Sequence, residues 1–172
     1  DDEDMLPTTK LVSGVIADWS SFIPGTDTYV LPSERQCMAW NVGGDVYSVY
    51  PVSISGASQG NPVSPAALGN LDSGAEAEVL FSTVVAGANS VLAYRYNGLP
   101  LPSTEGWPFR FPDGVGAYGG FSVADLDRDG NVEVVFGTND GLLHCWEFGS
   151  CTIGYAPWPM YQHDCGRSGA LE

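Results

Sequence analysis

Basic residues are scarce in this chain. Lys and Arg together number 6 against 21 Asp and Glu, and Lys10 is the only lysine. The formal net charge of −15 at pH 7 disfavours nucleic acid and anionic membranes as partners, because both bind clusters of Lys and Arg. The acidic excess is compatible with cation binding, and equally with solubility alone.

Long apolar runs and helical patterns are also missing. No segment approaches the roughly 18 apolar residues of a membrane-spanning helix, so we predict no membrane span. No window of about 11 residues has apolar side chains at helical spacing. The 22 Gly and 12 Pro are scattered, and 44% of the residues are hydrophobic. This pattern predicts an all-β fold of short strands joined by turns.

Familiar catalytic and nucleotide-binding motifs are absent from the sequence. There is no HExxH, GxSxG, P-loop or GxGxxG pattern. The two histidines, His144 and His163, have no partner at a useful spacing. No CxxC pair occurs, which argues against a zinc ribbon or a thioredoxin-type site. We therefore expect a non-catalytic protein.

The four cysteines permit three disulfide pairings. Cys151 and Cys165 would close a short loop and are our disulfide candidate, which leaves Cys37 and Cys145 either free and buried or bridged. This usage favours an oxidising, extracytoplasmic compartment. The start of the chain, DDEDMLPTTK, is typical of a mature or trimmed terminus.

One stretch of the sequence repeats another without a gap. Residues 70–83, NLDSGAEAEVLFST, align with residues 125–138, DLDRDGNVEVVFGT. The matching pairs are Asn70 and Asp125, Leu71 and Leu126, Asp72 and Asp127, Glu78 and Glu133, Val79 and Val134, Phe81 and Phe136, and Thr83 and Thr138. Internal repetition of this kind indicates a repeat architecture.

The repeat extends over most of the chain. Alternating apolar segments follow at 91–98 and 142–149, and then come Trp107-Pro108 and Trp158-Pro159; a weaker copy upstream has segments at 14–19, 29–32 and 37–42, with Tyr50-Pro51 in the Trp-Pro position. Four short β-type segments in about 50 residues are typical of a β-propeller blade. We predict three four-stranded antiparallel blades within a single repeat domain, 1–172. The expected parts are a degenerate blade at 11–52, a second at 63–109, a third at 116–160 and a tail at 161–172.

Residues 119–138, GGFSVADLDRDGNVEVVFGT, resemble the FG-GAP or VCBS-type repeat of integrin α-chain propellers and bacterial surface proteins. Residues 122–124 match its first strand, and the loop after them matches D-x-D-x-D-G. Residues 137–139, Gly-Thr-Asn, stand where the family has Gly-Ala-Pro. The resemblance implies a propeller of secreted or cell-surface location with a role in structure or adhesion.

The alternating carboxylates of this loop form an oxygen ligand set suited to calcium, which takes about 6–8 oxygen ligands. The candidate ligands are the side chains of Asp125, Asp127, Asp129 and Glu133, with the backbone carbonyl of Asn131. Magnesium fits less well because it requires near-octahedral geometry. An EF-hand is excluded, because its twelfth position is Phe136 and β-type segments flank the loop. The alternative is an Asp-rich turn without metal.

The other copies of the loop are degenerate. Gly74 replaces the third aspartate in the second copy, so a weak second metal loop would use Asn70, Asp72, Glu76 and Glu78. In the first copy Asp18 stands alone, and we predict no metal there.

Three aromatic residues, Trp40, Tyr94 and Trp146, fall at the same place in the third segment of each copy. We predict that they pack between blades; a sugar-stacking platform is the alternative. Trp107 and Trp158 are expected to anchor blades.

Three blades do not close a ring, since propellers have about 4–8. Self-association into a six-bladed ring or a filament, or a partner protein, would complete the structure, unless the chain is part of a longer protein. The function we expect is a calcium-stabilised extracellular propeller module for structure, assembly or adhesion. The alternative is glycan binding, as a carbohydrate-binding module or the propeller portion of a polysaccharide-degrading enzyme.

Overall fold

A computed structural model describes residues 15–18, 27–41, 43–46, 49–74 and 76–148. These residues form eleven strands: β1 Val15–Asp18, β2 Asp27–Pro32, β3 Gln36–Asn41, β4 Val52–Ser53, β5 Ala67–Gly69, β6 Glu78–Val85, β7 Ala88–Tyr94, β8 Phe109–Arg110, β9 Ser122–Ala124, β10 Val132–Gly137 and β11 Leu143–Phe148. A short 3₁₀ helix, Ser103–Glu105, is the helical element of this part of the chain. The predicted all-β fold is confirmed.

The strands form three antiparallel sheets, each a simple meander in chain order. Sheet 1 contains β1–β4, sheet 2 contains β5–β8, and sheet 3 contains β9–β11. The sheets span 15–53, 67–110 and 122–148, and these spans fall close to the three predicted repeat segments. The segment after residue 148, which would hold a fourth strand of sheet 3, lies outside the described residues.

Equivalent residues of the repeat occupy equivalent places in the strand pairing. In sheet 2, Leu68 pairs with Val79, and Val79 pairs with Tyr94. The corresponding row in sheet 3 is Val123, Val134 and Trp146, and in sheet 1 it is Ile16, Tyr29 and Trp40. The sequence repeat is therefore also a repeat of strand register.

Two apolar clusters lie between the sheets. One joins sheets 1 and 2 through residues such as Val30, Ala39, Val79 and Phe81. The other joins sheets 2 and 3. Neighbouring residues of β6 point into different clusters, so sheet 2 is buried on both faces. This explains why β6 is buried along almost its whole length rather than at alternate residues.

Most of the residues predicted to anchor blades or to pack between them are buried or half-buried in the two clusters. Trp40 is the exception, because it is half-buried and belongs to neither cluster of the described residues. Tyr50 is part of the first cluster and Trp107 of the second. Tyr94 packs in the first cluster and stacks on Phe81. Trp146 packs against the second cluster. Trp158 lies outside the described residues.

The first strands of the sheets are neighbours: β1 contacts β5, and β5 contacts β9. β5 and β9 lie so close together that a Cβ on Gly69 would be 2.4 Å from Cγ1 of Val123. A glycine in a strand interior commonly marks such a close approach. In the described part of the chain, no helix has the length and apolarity needed to cross a bilayer.

We expect Gly69→Ala to lower the free energy of unfolding by about 1–3 kcal/mol, because the added methyl group overpacks the β5–β9 contact. Denaturant unfolding would measure this change. Gly119→Ala is the matched control, since nothing lies within 4 Å of a Cβ there. Val123→Ala in the Gly69→Ala background should recover part of the loss; equal stability of the two single glycine variants would contradict the packing we describe.

Candidate metal centre

The acidic loop connects β9 to β10 and is held by its own carboxylates. Oδ1 of Asp127 accepts the backbone N–H of Asp129 at 3.1 Å, and Oδ1 of Asp129 accepts that of Asn131 at 2.8 Å. Oδ2 of Asp125 accepts the N–H of Gly130 at 3.2 Å. Gly130 has a φ of 97°, which favours glycine. The acidic side chains thus accept hydrogen bonds from the backbone of their own loop.

Glu133 lies in β10, opposite Ala124 of β9, and reaches back to the loop. Its Oε2 accepts the backbone N–H of Leu126 at 2.6 Å. The residue is only 5% exposed. A carboxylate this buried requires compensation, because removing a charge from water is unfavourable unless it is paired or coordinates a metal.

Two oxygens of the site lack this compensation. Oδ1 of Asp125 and Oε1 of Glu133 are buried and accept no hydrogen bond; Thr83 Oγ1 is the third such side-chain atom among the described residues. Carboxylate oxygens of Asp125, Asp127 and Glu133 all lie within 4.8 Å of one another. The structure therefore brings together three of the predicted ligands, with two bare oxygens among them.

A second acidic group adjoins the first and adds a residue that sequence reasoning missed. Oxygens of Asp127, Asp129 and Glu147 also lie within 4.8 Å of one another. Glu147 is in β11 and reaches the site because it pairs with Glu133 of β10, which no local sequence pattern indicated. Asn131 donates its side-chain N–H to Oδ2 of Asp129 at 2.9 Å. Its role as a carbonyl ligand stays a prediction.

The second copy of the loop has the same framework but a different charge balance. Oε2 of Glu78 accepts the N–H of Leu71 at 2.7 Å, as Glu133 does for Leu126. Asp72 is paired with Arg95, whose Nε and Nη2 lie 2.8 and 2.7 Å from Oδ2. Asn70 donates its side-chain N–H to the carbonyl of Gly74 at 2.8 Å.

This second loop does not form a cluster of metal-ligating acids. Neither of the two acidic groups found among the described residues includes a residue of this loop. Glu76 is half-buried and belongs to neither group. A Cβ on Gly74 would lie 2.7 Å from Oδ1 of Asp72, so an aspartate at this position would require the Asp72 carboxylate to move.

Arg95 and Glu147 occupy the same position of the repeat. Arg95 follows Tyr94, which pairs with Val79; Glu147 follows Trp146, which pairs with the equivalent Val134. The second copy therefore supplies a guanidinium where the third supplies another carboxylate. The ion pair found among the described residues is the one between Arg95 and Asp72. Arg128 forms none there. Among the described residues, the third loop thus has no protein cation paired with its acids.

Burial raises the pKa of Glu78 to about 8. The hydrogen bond from Leu71 and the nearby Arg95 oppose this shift, whereas the charge of Asp72 adds to it. Because Glu78 is 2% exposed, a proton offsets its charge over much of the neutral range. The second copy thus balances its acids with an arginine and a proton.

Among the described residues outside the acidic loops, Thr138, Asp140 and His144 lie close together at the β10–β11 turn. The Thr138 hydroxyl donates to Oδ1 of Asp140 at 2.6 Å and lies 3.1 Å from Nε2 of His144. Its proton faces the carboxylate rather than the imidazole. The Thr138 N–H also donates to the carbonyl of Leu142, so these residues close the β10–β11 hairpin.

The two described cysteines are free thiols. Cys37 is buried, which raises the pKa of its thiol, and Cys145 is exposed on β11. The disulfide candidate, Cys151 with Cys165, lies outside the described residues.

An aromatic cleft opens beside the acidic loops, with a volume of about 520 Å³. It is lined by Leu71, Glu105, Trp107, Phe109, Cys145, Trp146, Glu147 and Phe148. The rings pack on one another, with Phe109 and Trp146 4.3 Å apart between centroids. The lining of the cleft thus combines four aromatic rings with two carboxylates.

Comparisons of the chain with protein-family models, with curated proteins and with solved structures give no match. The FG-GAP resemblance accordingly depends on the motif in residues 119–138 itself.

We expect the stability conferred by Glu78 to fall as pH rises. Its folded-state pKa of about 8 exceeds the unfolded value of about 4.3, so the folded chain keeps a proton that the unfolded chain has lost. The stabilisation is complete below about pH 4 and is lost as pH rises through about 8, by at most about 1.4 kcal/mol per pH unit.

Glu78→Gln is the comparison variant, because an amide oxygen still accepts the N–H of Leu71 and does not titrate. Denaturant unfolding of both proteins from pH 4 to 9, with a chelator present, gives the difference in free energy of unfolding. With rising pH, the free energy of unfolding of the parent protein should fall relative to that of Glu78→Gln. A difference that is flat with pH would show that Glu78 titrates normally.

Proposed function

We propose that this chain is a non-catalytic, calcium-stabilised module of β-propeller blades, related to FG-GAP repeats, that serves structure, assembly or adhesion outside the cytoplasm. One observation carries the proposal: buried oxygens of Asp125 and Glu133 accept no hydrogen bond, in the copy of the loop that lacks the arginine of the other copy. A bound cation would supply the missing partner.

Calcium fits this donor set best. The available ligands are all carboxylate or carbonyl oxygens, which suit hard cations rather than softer metals. Asp125, Asp127 and Glu133 would hold the ion, and Asp129 and Glu147 lie beside them. Three carboxylates from a partly exposed loop and two from β10 and β11 also favour an ion that tolerates a flexible, high coordination number.

The ion's role would be structural. Its ligands come from the β9–β10 loop and from β10, and Glu147 of β11 adjoins them, so all three strands of sheet 3 meet at the site. Binding would hold these strands together and add its free energy to folding. The second sheet needs no ion because Arg95 spans from β7 to Asp72.

The blade assignment has separate support. The three sheets repeat one register, stack face to face through two apolar clusters, and have neighbouring first strands. Radially repeated antiparallel sheets with adjacent inner strands are the arrangement of propeller blades. The family resemblance is what supports the extracellular location and the role in adhesion, because the two described cysteines are free thiols.

We expect calcium to raise the melting temperature of the protein and Asp127→Asn to abolish that effect. At free calcium about 100-fold above its Kd, binding to the folded state contributes about 2.7 kcal/mol. For a chain of this size that corresponds to roughly 5–10 °C. Thermal unfolding with calcium, magnesium and chelator measures the shift, and calorimetric titration measures the stoichiometry.

Asp72→Asn is the matched control for this experiment, since it changes the equivalent residue of the second loop. It should lower stability by breaking the pair with Arg95, yet leave the calcium shift intact. A parent protein whose melting temperature is indifferent to calcium and chelator would remove the metal from the proposal. Loss of the shift in Asp72→Asn alone would move the site to the second loop.

The aromatic cleft favours a second candidate function, carbohydrate binding. Sugar rings stack on aromatic faces, and Glu105 and Glu147 of the cleft lining would accept hydroxyl hydrogen bonds. If this function holds, a glycan array should give specific binding that Trp146→Ala weakens roughly tenfold. Tyr118→Ala, an exposed aromatic residue outside the cleft lining, should leave it unchanged. No specific binding, or binding that both variants retain, would exclude the cleft as a glycan site.

A further inference from the structure

The two outer sheets each present an apolar face that belongs to neither buried cluster of the described residues. On sheet 1 this is the front face, which we define as Tyr29, Leu31, Met38 and Trp40, all half-buried. On sheet 3 it is the back face, which we define as Ser122, Val135, Leu143 and Cys145. Leu143 is 77% exposed, the highest value among the exposed large apolar residues described.

The back face of sheet 3 is the repeat counterpart of a surface that sheet 2 buries completely. Ser122, Val135 and Cys145 pair in one row. The equivalent row of sheet 2, Ala67, Leu80 and Ala93, is at most 2% exposed because sheet 3 covers it. Sheet 3 therefore carries the surface on which a further sheet would pack.

The front face of sheet 1 is the counterpart of the opposite surface. Tyr29 and Trp40 match Val79 and Tyr94, which sheet 1 covers. The pair Leu31 and Met38 likewise matches Phe81 and Leu92, which are 0% and 6% exposed. The equivalent surface of sheet 2 packs on sheet 1, and that of sheet 3 packs on sheet 2. Sheet 1 carries the same surface without a sheet before it among the described residues.

Side-chain size makes the two outer faces complementary. Between sheets 1 and 2, small residues such as Ala39 and Cys37 meet large ones such as Phe81 and Tyr94. Between sheets 2 and 3, Ala67 and Ala93 meet Phe136 and Trp146. The outer faces repeat this division, with Ser122 and Cys145 on the back face and Tyr29 and Trp40 on the front face.

We propose that a second copy of this chain docks head to tail, with its front face on the back face of the first. The contact would continue the sheet stacking that the fold already uses twice. Two copies joined at both ends would give six sheets, within the range of about 4–8 that closes a propeller ring. The interface is heterologous, so it joins different surfaces of the two copies. This inference depends on the blade arrangement of the proposed function and not on its metal.

The net charge of −15 on each copy opposes the association, and salt screens it. The four residues that define each face are uncharged, but Glu133 and Glu147 lie on the same side of sheet 3 as Val135 and Cys145, at the end of the back face nearest the acidic loop, and they add to the repulsion. We therefore expect association to strengthen with ionic strength, as an apolar contact between like-charged bodies does.

Analytical ultracentrifugation over a wide concentration range tests the proposal on the full chain. The parent protein should rise from the monomer mass to twice that mass. Leu143→Asp on the back face and Met38→Asp on the front face should each weaken association about 100-fold or more, because each places an unpaired charge in an apolar contact. Leu99→Asp is the control, since Leu99 is 57% exposed but lies on neither face, and it should associate as the parent does.

Mixing the two variants tests the head-to-tail geometry. The Leu143→Asp chain keeps its front face and the Met38→Asp chain keeps its back face, so an equal mixture should form a one-to-one dimer that neither forms alone. If Met38→Asp fails to fold, Trp40→Ser takes its place. A contact between like faces would not be restored by mixing, and this result would overturn the geometry.

A parent protein that stays monomeric at every concentration would overturn the proposal, and so would association that both variants retain. The calcium experiment remains independent of this one. A monomer that still shows the calcium shift would refute only the docking, and a calcium-insensitive chain that dimerises would refute only the metal site.

Discussion

The packing of apolar sheet faces on one another is the constraint on which this structure depends. Sheet 2 has no polar face: Val79 and Phe81 of β6 pack toward sheet 1, whereas Leu80 packs toward sheet 3. A sheet buried on both sides is stable only between two others, because its apolar area would otherwise face water. The outer sheets inherit the same requirement on their outward faces.

The repeated acidic loop shows two solutions to one electrostatic problem. Both copies place a buried glutamate under a loop N–H, and each loop also carries at least one aspartate, Asp72 in the second copy and Asp127 in the third. The second copy neutralises Asp72 with Arg95 and raises the pKa of Glu78, whereas the third has Glu147 at the position of Arg95 and leaves two oxygens bare. A single change of sign at one strand position thus separates a self-contained loop from one suited to a cation.

Much of the fold and of the acidic loop could be predicted from the sequence, because the signals for strands and turns are local. The alternation of apolar residues predicted the strands, and the gap-free match of 70–83 with 125–138 predicted equivalent loops. Glu147 could not be predicted in the same way, since it lies 14 residues beyond Glu133 (147 − 133) and approaches Asp127 only through the pairing of β10 with β11. The β6–β7 hairpin is longer than the β10–β11 hairpin. A gap-free alignment of the two copies therefore does not place Arg95 opposite Glu147.

The sequence by itself determined the all-β class, the repeat and the acidic loop, because strand periodicity and turn chemistry operate over a few residues. Only the tertiary structure decided which charges meet and which faces are covered. Strand register brings Arg95 to Asp72 and Glu147 to Asp127, and sheet stacking buries Leu80 while it leaves Leu143 exposed. Both outcomes depend on contacts between residues far apart in the chain, which no local pattern encodes.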